Sequence, residues 1–274
     1  NREGHNGTAV CIFCDEWGSA AYHQQREKPV REQIQINREA IRKRYRAEKF
    51  LIYFQAYTNT FGRFRELEYF YKEALKEKDV VGIVVGTRPD CLPKRVLQKF
   101  SEIAQENYLS VELGVQTFDD AQLQFLSRGH DSASSLKAIR KLKTLPDINL
   151  CVHLMFGLPD ETDAQIRKTA EILSEQKVDG VKLHNLHVLR NTPLEKLYRE
   201  SRFKPVDLEE YSRKVALFLE NLSPKIAVHR LAAVASRWDE LVAPQWTREK
   251  MKTTQFIDDF LAAKETWQGR CFEV

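Results

Sequence analysis

LSVELGVQ, residues Leu109 to Gln116, alternates with period two. Val111, Leu113 and Val115 fall on one face, and Ser110, Glu112, Gly114 and Gln116 on the other. The same division runs through INLCVHLMF (148–156), where Leu150, Val152, Leu154 and Phe156 oppose Cys151, His153 and Met155. In GVKLH (180–184), Val181 and Leu183 oppose Lys182 and His184. A parallel strand buried on both sides is ordinarily apolar on both. Strands that are apolar toward one layer and carry Glu, Gln, His and Lys on the other suit a barrel with helices outside and a polar site within. An antiparallel sheet with one wet face alternates in the same way, but the helical spacing between these strands argues against it.

Working outward, strand-like runs cover residues 50–57, 79–87, 109–116, 148–157, 180–189 and 225–231, with helical spacing over 65–78, 93–106 and 162–176. Thr162 with Gln165, and Asp207 with Glu210, have the form of capping boxes. Alternating strands and helices imply parallel βαβ units, and no GxGxxG follows the first strand. The fold predicted is α/β, a partial (β/α)6-type TIM barrel of parallel strands. It is expected as one domain over residues 1–274, with 232–274 as a C-terminal helical extension. A length of 274 residues and a hydrophobic fraction of 42% support a real core, while 30% charged residues and a net charge of +4 identify no partner. No apolar run is long enough to cross a membrane, so no membrane association is expected.

Five cysteines, odd in number and scattered, do not form a secreted disulfide framework and fit a reducing, cytoplasmic location. Two of them, Cys11 and Cys14, form a CxxC in GTAVCIFCDEWG (7–18). Such a pair serves zinc, redox exchange, an iron–sulfur cluster or merely packing. Structural zinc needs four ligands, and Cys91, Cys151 and Cys271 are single and distant. A thioredoxin-like pair belongs at a helix start in a smaller fold. A cluster with one open iron needs three thiolates. The chain begins with Asn, and there is room for the third just upstream of it.

NREGHNGTAVCIFC (1–14), YFQAYTNT (53–60), GTRPDCLP (86–93), VELGVQT (111–117), SRGHD (127–131), HLMFGLPDET (153–162), DGVKLHNLHVLRNTPL (179–194) and VHRL (228–231) stand in this order. With these motifs the chain resembles the radical S-adenosylmethionine (SAM) superfamily, and within it a YhcC-like branch related to the elongator catalytic subunit. Asp160 departs from the usual GLPGET, a change expected to touch only a turn. The resemblance implies the radical SAM fold, with a 4Fe-4S cluster and SAM as cofactors. Cys11 and Cys14 would be metal ligands, and a fragment starting at Asn1 is expected to reconstitute poorly. Soft thiolates do select such clusters.

Further roles follow from the resemblance. Phe13 would pack near the adenine, and Tyr57, Thr58, Asn59 and Thr60 would occupy the segment that accepts hydrogen bonds from the SAM amino group. Gln116 would contact the ribose, Arg128 the SAM carboxylate, and Gly157, Leu158 and Pro159 would form a turn beside the adenine. Glu112 is a further inward polar candidate for the cofactor. Deeper in the barrel, Lys182, His184 and His153 are the candidate catalytic residues, with His187 and His229 as candidate substrate contacts. Cys151 reads as a small buried hydrophobe, with a substrate-site thiol as its alternative.

The function expected is reductive cleavage of SAM to a 5′-deoxyadenosyl radical that acts on an unidentified substrate. An external electron donor such as flavodoxin or ferredoxin is implied. Residues 26–50 hold nine basic and four acidic residues with helical spacing, a mixed-charge solvated helix or a surface for tRNA. A tRNA-modifying methyl- or sulfur-transferase is therefore one alternative, and a non-enzymatic iron–sulfur or zinc partner-binding protein another.

Overall fold

The computed structural model describes residues 11–14, 27–235 and 238–273. The expectations placed on 1–10 and on Arg26 lie outside these.

In chain order the elements are α1 (Val30–Tyr45), β1 (Phe50–Phe54), α2 (Phe64–Ala74), β2 (Val80–Thr87), α3 (Lys94–Glu106), β3 (Tyr108–Gln116), α4 (Asp120–Phe125) and α5 (Ser132–Lys143). There follow β4 (Ile148–Phe156), α6 (Asp163–Glu175), β5 (Gly180–Asn185), β6 (Val188–Leu189), α7 (Pro193–Arg199), α8 (Leu208–Asn221), β7 (Ala227–Arg230), β8 (Leu241–Ala243) and α9 (Lys250–Ala263). Six strands form one sheet in the order β1-β2-β3-β4-β5-β7, every pairing parallel. The sheet curls into a half-barrel with polar residues inside.

The apolar faces read from the sequence bury the core. Val111, Leu113, Leu150, Val152, Leu154, Val181 and Leu183 have no exposed surface and pack with Phe100, Ile139, Leu173 and Phe218 of the helices. Each such side chain contributes about 1.5–3 kcal/mol through burial. The helices start where the caps predict. Thr162 makes a full capping box with Gln165, and the Asp207 carboxylate accepts from Glu210 N at 2.8 Å.

Two readings are corrected. The run 180–189 is not one strand: β5 stops at Asn185, paired with Phe156, and Val188 and Leu189 turn away to pair antiparallel with β8. The stretch after residue 232 is not wholly helical, because it supplies that partner strand and a short 3-10 turn (Gln245–Arg248) before α9. This small sheet helps close a second apolar cluster of Ile12, Leu126, Met155, Leu158, Leu186, Val188, Leu194, Phe203 and Ala243. That cluster lies at the C-terminal ends of the strands, where barrels carry their sites.

Candidate functional site

Two groups of side chains meet at this end, one inside the half-barrel and one on its rim. Inside, Glu112 of β3 is 4 % exposed at its side chain and collects donors from three strands. Tyr53 Oη of β1 donates to Oε2 at 2.5 Å, His153 Nε2 of β4 to the same oxygen at 2.7 Å, and Lys182 Nζ of β5 to Oε1. Burial alone would raise the Glu112 pKa, but the bonds from His153, Lys182 and Tyr53 outweigh it and hold the carboxyl at about 2. Cys151 packs into the same group: its Sγ, a Glu112 oxygen and a His153 nitrogen lie within 4.8 Å of one another. Burial and the Glu112 charge push the thiol up to about 12.

His184 stacks near His153 with ring centroids 5.5 Å apart, and its Nε2 accepts from Arg230 Nη2 of β7. Burial, with the neighbouring Arg230 charge, lowers His184 well below the ordinary imidazole value. It is therefore neutral and carries its proton on Nδ1.

Arg230 was not singled out by sequence, and a bulge is the reason. Val181 pairs with Val228 but Lys182 pairs with Arg230, so His229 is an extra residue. His229, the residue expected inside, is exposed and leans over Gly180, where a Cβ would stand 2.6 Å from its Nε2. His187, also expected at the substrate, lies beyond the end of β5. It is half-buried, lowered to about 4 chiefly by desolvation, and has a buried, unpartnered Nε2.

On the rim, Ile12 N donates to Leu126 O at 3.4 Å and Leu194 N donates to Ile12 O at 2.9 Å, so the CxxC loop is strapped across the strand ends. Cys11 and Cys14 are joined as a disulfide with Cα atoms 5.6 Å apart. A cysteine ligates metal only as a thiolate, so this bond must be reduced before either can do so. Phe13 packs beside the Ile12 cluster.

Gln116 and Arg128 converge over Gly114. A Cβ there would stand 2.9 Å from Gln116 Nε2 and 3.4 Å from Arg128 Nη2. Gln116 has a left-handed φ of 73°, beside a register shift in β3. Arg128 donates to Gly114 O at 3.1 Å, yet its buried Nε has no partner, and burial draws its pKa down to about 10. Asn185 is buried with both amide atoms unsatisfied.

The segment after β1 is braced by its own side chains. The Asn59 amide donates to Phe54 O and Ala56 O, while Thr60 Oγ1 bonds Thr87 Oγ1 and donates to Cys91 O. The loop backbone at Tyr57 and Thr58 is what these residues hold in place. Gly157, at φ 83°, has no room for a side chain: a Cβ would meet Val206 Cγ1 at 2.4 Å. Its N–H donates to Glu161 Oε2 at 2.9 Å, and Glu161 is also paired with buried Lys214 at 3.3 Å. Sequence reasoning passed over Glu161 because it reads as the surface acid of a turn. Leu158 is buried in the rim cluster, Pro159 O accepts from Gln122 Nε2, and Asp160 takes φ 55°, the left-handed turn position that suits glycine.

Family models match most of the chain. Residues 6–173 match the radical SAM superfamily and residues 178–263 the radical SAM C-terminal domain. The chain belongs to the radical SAM superfamily. It is 34% identical over 262 residues to protein YhcC of Escherichia coli, covering 95% of this chain and 83% of that one. A tRNA uridine(34) acetyltransferase of Methanocaldococcus jannaschii is 28% identical over 152 residues, 54% of this chain and 27% of its own length. Among solved structures, the archaeal Elp3 of Methanocaldococcus infernus superposes with a TM-score of 0.73 at 18% identity. The match covers 87% of this chain and 60% of that one, and shows a shared fold. No helix among the described residues is long and apolar enough to cross a membrane.

Proposed function

We propose that the protein is a radical SAM enzyme that holds a 4Fe-4S cluster through Cys11 and Cys14 and binds SAM on the rim. Its substrate would lie inside the half-barrel beside His153, Lys182 and His184. The observation that carries this reading is the buried Arg128 guanidinium, one nitrogen unpartnered, beside Gln116 at the strand ends that the CxxC loop crosses. The rim fits both cofactors: it offers two soft sulfurs brought to one point, and buried polar atoms on Arg128 and Asn185 that lack partners.

When bound, the cluster supplies the electron that cleaves SAM to methionine and a 5′-deoxyadenosyl radical. The chain's own residues do the rest. Arg128 offers a charge-assisted bond to a carboxylate, and the backbone of 57–60 and 157–159 offers carbonyl and amide groups. Ile12, Leu126, Leu158 and Leu194 keep water from the rim. Ionised Glu112 orients Tyr53, His153 and Lys182, and neutral His184 offers its Nδ1–H as a donor. The electron would come from an external donor such as flavodoxin or ferredoxin.

A second reading, action on tRNA, draws support from the likeness to a tRNA uridine(34) acetyltransferase. In α1, Arg38 and Arg42 are spent on Asp79, but Arg31, Lys43 and Arg44, and Arg46 just past its end, are exposed. The test is anaerobic iron and sulfide reconstitution of the full-length protein, followed by SAM and a reductant. Release of 5′-deoxyadenosine, abolished by Cys11→Ala or Cys14→Ala, supports the enzyme. Tight zinc with no cluster supports a partner-binding protein, and methyl or sulfur transfer to RNA supports the tRNA reading.

A further inference from the structure

The interior group carries more positive than negative charge. Lys182 is matched by Glu112, whereas among the described residues Arg230 hydrogen-bonds only the neutral His184 and, through Nε, the Leu183 carbonyl at 3.4 Å. Among the described residues no carboxylate lies within ion-pair distance of Arg230, and burial lowers its pKa. A half-buried guanidinium without an anion is expensive to keep, and ordinarily marks a place where one arrives.

The layering points the same way. The side chains of Lys182 and His153 are each 18% exposed and Arg230 is half-buried, whereas Glu112 lies beneath them at 4%. What the open side of the half-barrel meets is therefore donors, with the acceptor sealed below. The surplus is a single charge, because both neighbouring histidines are driven toward their neutral forms. A monoanion balances it, while a phosphate dianion would leave the buried group net negative.

Taking the interior as the substrate chamber, as proposed above, we propose that Arg230 is the anchor for a substrate carboxylate, received by its planar fork with Lys182 alongside. His184 holds the guanidinium from behind, and the bulge at His229 turns it inward. A guanidinium fork and a carboxylate match in two parallel bonds.

The test needs neither cluster nor turnover. The full-length protein is titrated with acetate, dimethyl phosphate and inorganic phosphate while the arginine Nε–H and histidine ring resonances are followed by NMR. The Arg230 signal is assigned by difference from Arg230→Gln. Acetate should shift the Arg230 and His184 signals saturably. Binding should weaken about tenfold or more in Arg230→Gln, fall between the two in Arg230→Lys, and be unchanged in Arg140→Gln on the exposed face of α5. No saturable shift, equal binding by Arg230→Gln, or a preference for dimethyl phosphate or inorganic phosphate overturns the proposal. If Arg230→Gln does not fold, the preference of the wild type among the three probes and the response of Arg230→Lys decide alone. Acetate binding without SAM cleavage would sink the radical reading and leave the carboxylate anchor standing; the reverse pattern would sink the anchor only.

Discussion

Lys182 Nζ lies 5.0 Å from the centroid of the Tyr53 ring, although the two residues stand on the fifth and first strands of the sheet. In a flat sheet four strand spacings would separate them by about 19 Å. Their contact measures how far the sheet curls, and Glu112, on the strand midway between, bonds both. One carboxylate thus joins the two flanks of the half-barrel.

Lys182→Met should therefore destabilise the protein, because it leaves a buried carboxylate short of a cation. The expected cost is about 3–5 kcal/mol, on the order of 5–10 °C in Tm. Adding Glu112→Gln should restore most of it. With cluster content and uncoupled release of 5′-deoxyadenosine retained in the double variant, product formation alone should fail. Loss of all three together would show that Lys182 is structural and nothing more.

Arg128→Ala should weaken SAM binding, while Arg140→Ala, whose side chain is exposed and bonds Gln176, should not. A charge-assisted bond to a carboxylate is worth about 1.5–3 kcal/mol, roughly tenfold to hundredfold in Kd. Equilibrium dialysis of SAM against both variants checks this. Equal and negligible effects would remove Arg128 from the cofactor site.

Gly157→Ala should lower Tm for two separable reasons. The left-handed φ of 83° costs about 1–2 kcal/mol for any other residue, and the new methyl strikes Val206. Val206→Gly in the same chain, which removes both the Cγ1 at 2.4 Å and the Cβ at 2.8 Å, should recover the clash but not the backbone term. Full recovery in thermal melts would mean that the φ exerts no strain.

Acid should destabilise the fold well before its carboxylates titrate. Burial first, and for His130 the nearby Arg128 charge, push His130 and His187 down to about 4. In the unfolded chain they protonate near 6.5. Between these values the unfolded state binds more protons, so stability is fully present above about pH 6.5 and is lost as the pH falls toward 4. The slope is about 1.4 kcal/mol per pH unit per group. Denaturant melts at pH 7.5, 6 and 5 should show the decline, and His187→Asn should flatten it. A midpoint that does not move across this range would contradict the burial of both imidazoles.

Period-two alternation made much of the interior legible, because each strand between Leu109 and His184 buries one face against helices and must keep a strict register to do so. Glu112, His153, Lys182 and His184 could be placed together for that reason. The reading failed where the backbone breaks the period. At β7, Val228 pairs with Val181 but the next residue paired, with Lys182, is Arg230, so His229 is bulged out of the period. Strict counting therefore promoted His229 and missed Arg230. At β5 the apolar run continues through Leu189, and nothing in residue type alone says that Val188 will leave the sheet for β8. Tyr53 was within sight in YFQAYTNT, but only the curl of the sheet brings it to Glu112. The roles of Asn59 and Thr60 as braces depend on carbonyls from β1 and from the loop after β2, which no local pattern encodes.

The strap formed by Ile12 has a consequence for how the chain can be divided. The two family segments part near residue 175, as though the protein were a modular pair. Ile12 contradicts any such severance, since its amide is bound to Leu126 of the first segment and its carbonyl to Leu194 of the second. The parallel pairing of β4 with β5, from Cys151 opposite Gly180 to Phe156 opposite Asn185, crosses the same frontier. The CxxC loop is therefore seated only when both portions have assembled, and on the reading proposed above metal loading at Cys11 and Cys14 would have to wait for both.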